Sequence, residues 1–322
     1  MKAIRVHQFG AADVMRYEDV PLPEPKPNEV RIRLAATGLN FIDIYQRSGA
    51  YKISTPFIPG LEGAGVVDAV GAEVTTLKVG DRVAYPQQPS SYAEFVTIPA
   101  DRTVPIPDTI DFNTATAVML QGMTAHYLAT STFPIQPGDK ALVHAAAGGV
   151  GQLLVQMAKL RGGWVVGTVS TEEKAQIAKE AGADEIIRYT EQDFEAEVKR
   201  LTEGRGVDVV YDSVGKTTFD KSLNSLRPRG YMVLYGQSSG AVGPFDPQIL
   251  NQRGSLYLTR PSLAPYIATR TELLGRAEEI FGWISAGKLK VTIDKTFPLS
   301  QAADAHRYME ERKSKGKILL IP

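Results

Sequence analysis

Residues 139–159 read DKALVHAAAGGVGQLLVQMAK, and this stretch decides the fold. The apolar run at 141–144 predicts a buried strand, the small residues after it a tight turn, and residues 149–160 an amphipathic helix. A helix that starts directly after such a turn offers free N–H groups and the positive end of its dipole to an anion. Gly148 lets backbone approach a pyrophosphate closely and Gly151 lets the helix pack on the strand, while Ala146 stands at the first glycine of G-x-G-x-x-G. The turn as a whole, with Ala146, Gly148, Gly149, Val150 and Gly151, is the expected dinucleotide site. A glycine triplet alone would fit any strand-to-helix connection; here a second strand, Trp164-VVGTV, and a second helix from Thr171 follow at the spacing that a dinucleotide fold requires.

Outward from this unit the alternation continues, with apolar runs at Val207-DVVYD, Gly230-YMVLYG and Ser255-LYLT. Strands alternating with helices predict a doubly wound parallel sheet reaching about Arg260. The first third differs. Short β-branched runs at 29–37 and 63–71, broken by Pro and Gly and by PLPEPKP at 21–27, predict an all-β unit. Beyond Pro261 a helical stretch runs to about Gly287, and the runs after Lys290 and Lys317 return to the strand character of the beginning. The expected organisation is therefore a β-rich domain of residues 1–123 and 263–322 with an α/β domain, 124–262, inserted into it.

A chain of 322 residues has room for two cores of this kind. Lys plus Arg and Asp plus Glu both total 36, so no net field draws a polyanion, and no basic–aromatic tract replaces it. Nucleic acid is not expected as a partner. The amino terminus MKAIRVHQFG lacks the apolar core of a signal peptide, and no later stretch is apolar for the length of a bilayer, so a cytoplasmic protein without membrane attachment is expected. With no cysteine, disulfides, thiolate nucleophiles, iron–sulfur clusters and sulfur-ligated zinc are excluded.

The choice of dinucleotide is read at the end of the second strand, where an acidic side chain would hold the ribose hydroxyls of NAD. Here Ser170 and Thr171 occupy that place, and Lys174 follows one turn on. Without a carboxylate to repel a 2′-phosphate, and with a cation to pair it, NADPH is the expected cofactor. Lys174 read alone is equally a lysine on a solvated helix face.

Together with Asn40-FID, Pro59-GLEGAGVV, Gly80-DRVAY and Gln121-GMTAHYL, the turn resembles the medium-chain dehydrogenase/reductase superfamily, and within it the zinc-free quinone oxidoreductases of the zeta-crystallin-like branch. The similarity runs over the whole chain. It implies a Rossmann domain inserted in a discontinuous GroES-like catalytic domain, NADPH in a cleft, and a homodimer. Zinc enzymes of the superfamily ligate metal at positions matching Asn40, Leu61 and Gln121, none of which reproduces a thiolate–imidazole site. Glu62 survives from that region and reads as structural. The resemblance also implies that Asn40, Tyr45, Tyr51 and Thr124 line the nicotinamide end; there Asn40 is expected to hydrogen-bond the acceptor or the cofactor ribose, and Tyr45 or Tyr51 to donate to the acceptor oxygen that gains charge. It places Tyr189 near the adenosine, and Gly236, Gln237, Ser238 and Arg260 at strand ends facing the cofactor. As bland alternatives, Asn40 caps a helix, the tyrosines pack, Arg260 is structural, Asp212 makes a turn and His144 is a satisfied core residue.

Without a metal the accessible chemistry is hydride or electron transfer to an acceptor already activated by conjugation. A small quinone is the first reading, and an enone or enoyl thioester the second. A third, of another class, is a dinucleotide-binding protein with a crystallin-like or RNA-binding role. The apolar edge expected at 255–259 predicts dimer pairing through the last Rossmann strand. Replacing Lys174→Ala should raise KM for NADPH about ten- to a hundred-fold, the worth of one charge-assisted hydrogen bond, and leave KM for NADH unchanged; equal effects on both would contradict the assignment.

Overall fold

The computed structural model describes residues 1–322, which divide into two compact units. One comprises Met1–Met123, Ala264–Gly287 and Val291–Pro322, and the other Thr124–Leu263 with Lys288–Lys290. The last three residues join the second unit because Lys290 exchanges backbone hydrogen bonds with the Gln156 side chain, at 2.8 and 3.0 Å.

In the second unit six parallel strands run in the order Glu185–Arg188, Trp164–Val169, Lys140–Val143, Val207–Asp212, Leu226–Leu234, Tyr257–Thr259. The chain begins in the middle, winds outward to one edge, returns and winds to the other. The point where strand order reverses therefore lies between Lys140–Val143 and Val207–Asp212, the place where open parallel sheets take ligands. Leu142, Val166, Val210 and Met232 are fully or almost fully buried beneath the covering helices, as both faces of a parallel sheet require. Glu185–Arg188 carries only Ile186 and Ile187 between charges, so no apolar run announces this edge strand in the sequence.

The first unit holds a seven-stranded sheet ordered Ile293–Pro298, Lys317–Ile321, Glu29–Leu39, Glu62–Val70, Arg82–Pro86, Val104–Pro105, with Phe95–Pro99 also on Glu29–Leu39. Strand Glu29–Leu39 is the hub. Its first half alternates, burying Val30, Ile32 and Leu34 in one core; its second half, 36–39, is buried on both faces. The carboxyl-terminal strand pairs antiparallel with that second half, Ile318 opposite Leu39, which places Lys317 beside Asn40.

The all-β expectation for the first third needs correction, because helix Phe41–Ser48 lies within it, and most of helix Phe112–Tyr127 joins the same unit. The signal for the first helix was in Asn40-x-x-Asp43: the Asp43 carboxylate accepts the Asn40 N–H at 2.8 Å and closes the helix start, while Gly49 ends it in the left-handed region. No helix is long and apolar enough to cross a membrane.

Candidate active site

In the second unit the expected cofactor residues gather at one edge, because each follows the carboxyl end of a parallel strand. Ala146 comes after Lys140–Val143, Ser170 after Trp164–Val169, and Tyr189 after Glu185–Arg188. Gly236, Gln237 and Ser238 come after Leu226–Leu234, and Arg260 after Tyr257–Thr259. Thr124 is the exception, buried on helix Phe112–Tyr127.

The glycine turn has the form a phosphate needs. Helix Gly149–Leu160 starts at Gly148 with no side-chain cap, so its amino-terminal N–H groups are left for a ligand. Ala145 takes a φ of 52° to turn the chain. A Cβ on Gly151 would collide with the Ala145 carbonyl oxygen and lie 2.8 Å from the Ala146 Cα, so helix and strand approach too closely for any side chain there. The Ala146 methyl is itself buried, and its contribution to a ligand is therefore backbone. On the next helix, Glu172–Glu180, the Thr171 hydroxyl accepts the Lys174 N–H at 3.2 Å, and Lys174 sits in the first turn. Glu172 adjoins this turn and pairs with Arg188 at 3.4 Å, a second cation near the strand ends that the sequence pattern did not single out.

Asp212 makes a turn, as its position suggested: one carboxylate oxygen accepts the N–H groups of Val214 and Gly215 at 2.7 and 2.9 Å. The other accepts the hydroxyls of Thr218 and Ser222 at 2.7 and 2.9 Å. His144, one residue beyond its strand, bonds Thr168 through Nδ1 at 2.9 Å and Ser222 through Nε2 at 3.0 Å. Burial holds its pKa below the ordinary value, so it is a neutral, satisfied core histidine. Ser222, between His144 and Asp212, is fully buried and closed to any substrate.

The first unit gathers its own expected site residues around a charge pair that sequence reasoning missed. Lys317 and Glu62 are both buried and ion-paired. The Lys317 ammonium also donates to Asn40 Oδ1 at 2.9 Å and to the Leu39 carbonyl at 3.2 Å, so all three of its donors are engaged. Glu62 Oε1 accepts from Asn40 Nδ2 at 2.6 Å and its Oε2 from the Leu120 N–H at 2.6 Å. A Cβ on Gly38 would run into Glu62 Oε1 and lie 2.7 Å from the Lys317 Cε, so the pair fits only against glycine. Asn40 is thereby fully engaged: Nδ2 donates to Glu62 and to the Gly38 carbonyl at 3.4 Å, and Oδ1 accepts from Lys317 and, at 3.3 Å, from Gln121 Nε2. It is also the helix N-cap residue. The three positions matching zinc ligands are thus an amide locked by an ammonium, a buried leucine and a second amide. A divalent ion there would face the Lys317 charge, and no group of three or more His, Cys, Asp or Glu stands ready to hold one.

A buried polar chain continues from Asp43. Its Oδ2 accepts the Tyr92 hydroxyl at 3.0 Å, and Tyr92 meets His306 Nε2 at 3.1 Å. Arg47 donates to His306 Nδ1 at 3.2 Å and pairs with Glu310 at 2.6 Å. Arginine accepts nothing, so His306 carries its proton on Nε2 and donates it to Tyr92. Tyr45 and Tyr51 lie half-buried on and after helix Phe41–Ser48, their ring centroids 5.2 Å apart, with Phe41 6.1 Å from Tyr45. They form an aromatic shelf on and just beyond the helix that Asn40 starts.

Residues 26–108 match the alcohol dehydrogenase GroES-like domain family and residues 181–320 the zinc-binding dehydrogenase family. The chain is 45% identical to a quinone oxidoreductase of Pseudomonas aeruginosa, covering all of this chain and 99% of that one. The chain belongs to the quinone oxidoreductases of the medium-chain dehydrogenase/reductase superfamily. A 2-haloacrylate reductase of a Burkholderia species is 42% identical over 98% of both chains. The crystal structure of Escherichia coli quinone oxidoreductase complexed with NADPH superposes with a TM-score of 0.98 at 44% identity, over all of both chains. The fold class expected from sequence, Rossmann sheet plus β-rich GroES-like sheet, is the one observed.

Burial raises the Asp43 pKa from 3.8 to about 7, against the hydrogen bonds from Asn40 and Tyr92 and the attraction of Lys317. The folded chain keeps this proton to about pH 7 while the unfolded chain releases it near 4, so Asp43 subtracts stability as pH rises between those values. Burial lowers His306 to about 3, which works in the opposite sense as pH falls below the ordinary histidine value. The stability of Asp43→Asn relative to the parent, from urea midpoints, should therefore grow between pH 4 and 7; a constant difference would contradict the buried carboxyl.

Proposed function

We propose that this chain is an NADPH-dependent quinone oxidoreductase. The observation that carries the reading is full-length identity of 44% and a TM-score of 0.98 to a quinone oxidoreductase complexed with NADPH, on a chain whose own glycine turn and strand ends fit that cofactor. When bound, the nicotinamide supplies hydride; the protein supplies position, field and the exclusion of water. Gly148, Gly149, Val150 and Gly151 hold the pyrophosphate with backbone N–H groups, and Ala146 shapes the turn. Ser170 and Lys174 hold the 2′-phosphate. Tyr189, Gly236, Gln237, Ser238, Arg260 and Thr124 complete the cofactor contacts.

A quinone is already conjugated, so its carbonyl accepts hydride without a Lewis acid, and a donor aimed at the oxygen that gains charge is enough. Tyr45 and Tyr51 fill that role, their rings also offering a stacking face to a planar acceptor. Asn40, engaged at every hydrogen-bonding position, acts by holding the site's geometry.

A second acceptor class, α,β-unsaturated carbonyl compounds, is favoured by the 42% identity to a 2-haloacrylate reductase. The same conjugation argument covers both. The chain also pairs as a homodimer through edge strand Tyr257–Thr259, where Tyr257 is 53% exposed and stacks on Tyr231 with centroids 4.5 Å apart. Light scattering at the monomer mass would refute that pairing.

Steady-state assays with benzoquinone, naphthoquinone and an enone should show turnover with NADPH that is fastest for a quinone. Tyr45→Phe should lower kcat about ten-fold or more with NADPH affinity retained. No turnover of any quinone would reject the function, and unchanged kinetics would remove Tyr45 from it.

A further inference from the structure

Two buried side-chain oxygens have no hydrogen-bond partner, Asp43 Oδ1 and Gln121 Oε1. Such atoms are destabilising unless something completes them. Asp43 is wholly enclosed, whereas Gln121 retains 7% exposure, so only the second belongs to a side chain that borders open space. Which way the Gln121 amide points is settled by chemistry. Lys317 has donors and no acceptor, so the Asn40 atom it binds at 2.9 Å is the carbonyl oxygen. The Gln121 atom 3.3 Å from that oxygen must then be the NH2 group, and the amide oxygen is left uncompleted.

We infer that Lys317, with Glu62, is a positioning residue that fixes the amide of Gln121 through Asn40, and that Gln121 Oε1 accepts a hydrogen bond from an O–H or N–H of a bound ligand. The inference rests on the reading of this site as the acceptor and nicotinamide site. Two donors share that chemistry: the hydroxyl that a quinone oxygen becomes on reduction, and the carboxamide N–H of the nicotinamide. In this arrangement the ammonium is a fixed cation bonded to Asn40, one of the positions that match zinc ligands. It acts on the ligand only through two amides. Lys317 and Glu62 both fix Asn40, one as donor and one as acceptor, so only with both charges gone can Asn40 turn over and Gln121 turn with it.

The test uses the full-length protein. Wild type is first assayed with NADPH and benzoquinone; absence of turnover overturns the functional reading itself. With turnover established, Gln121→Met, which keeps volume and leaves no buried charge, should raise either KM for NADPH or the inhibition constant of benzohydroquinone three- to ten-fold, the range of one neutral hydrogen bond. A rise in the first identifies the carboxamide as donor, a rise in the second the product hydroxyl, and no rise in either overturns the proposal. The charge-free double variant Glu62→Gln with Lys317→Met should show the same change in the same constant. Adding Gln121→Met to it should produce no further loss, because all three changes break one chain of contacts. Losses that multiply would mean that Lys317 serves structure alone. Should the double variant fail to fold, Gly38→Ala, which displaces both partners without removing either charge, takes its place and carries the same expectation.

Discussion

Burying Lys317 against Glu62 is the constraint around which the first unit is arranged. Removing one partner of such a pair typically costs about 3–5 kcal/mol, because the remaining charge is stranded in low dielectric. The pair is tolerable only because every donor and acceptor on it is met, and each requirement fixes a piece of the fold. The ammonium needs the Leu39 carbonyl and the Asn40 amide, which sets the register of the carboxyl-terminal strand on Glu29–Leu39. The carboxylate needs the Leu120 N–H, which ties helix Phe112–Tyr127 to strand Glu62–Val70. Gly38 is what makes the room. Residues 62 and 317 lie at opposite ends of the chain, so the pair also joins the two segments of the discontinuous domain.

In the second unit the organising feature is geometric. Parallel strands present all their carboxyl ends at one edge, so residues from 146 to 260 reach one place without further instruction from the sequence. That edge was legible. The strand-turn-helix order of 139–159 gave helix Gly149–Leu160 at its observed bounds, and Thr171 as the cap of the next helix follows from a hydroxyl before an acidic first turn.

The first unit was less legible, for a physical reason. Its decisive contacts join residues far apart in sequence, and a lysine opening the run KILLI reads as an edge charge rather than as a buried cation. Glu62 reads from sequence as structural, and nothing local names Lys317 as its partner. Likewise His306 and Arg47 show no spacing that links them, yet they meet at 3.2 Å. The one local signal was Asn40-x-x-Asp43, a helix start that the alternative reading of Asn40 as a cap contains, inside a stretch whose β-branched neighbours suggest strands. Asn40 joins both themes: the sequence marks it as a site residue, and the structure makes it the link between a buried charge pair and Gln121.

An ammonium, rather than a metal, holds the centre of the first unit. Diffraction from crystals grown with zinc present, collected on both sides of the zinc absorption edge, tests this most directly. Electron density for the Lys317 side chain should be continuous with Glu62 and Asn40, with no anomalous peak among Asn40, Glu62 and Gln121. A zinc peak at that position, with Lys317 turned away from Glu62, would contradict it.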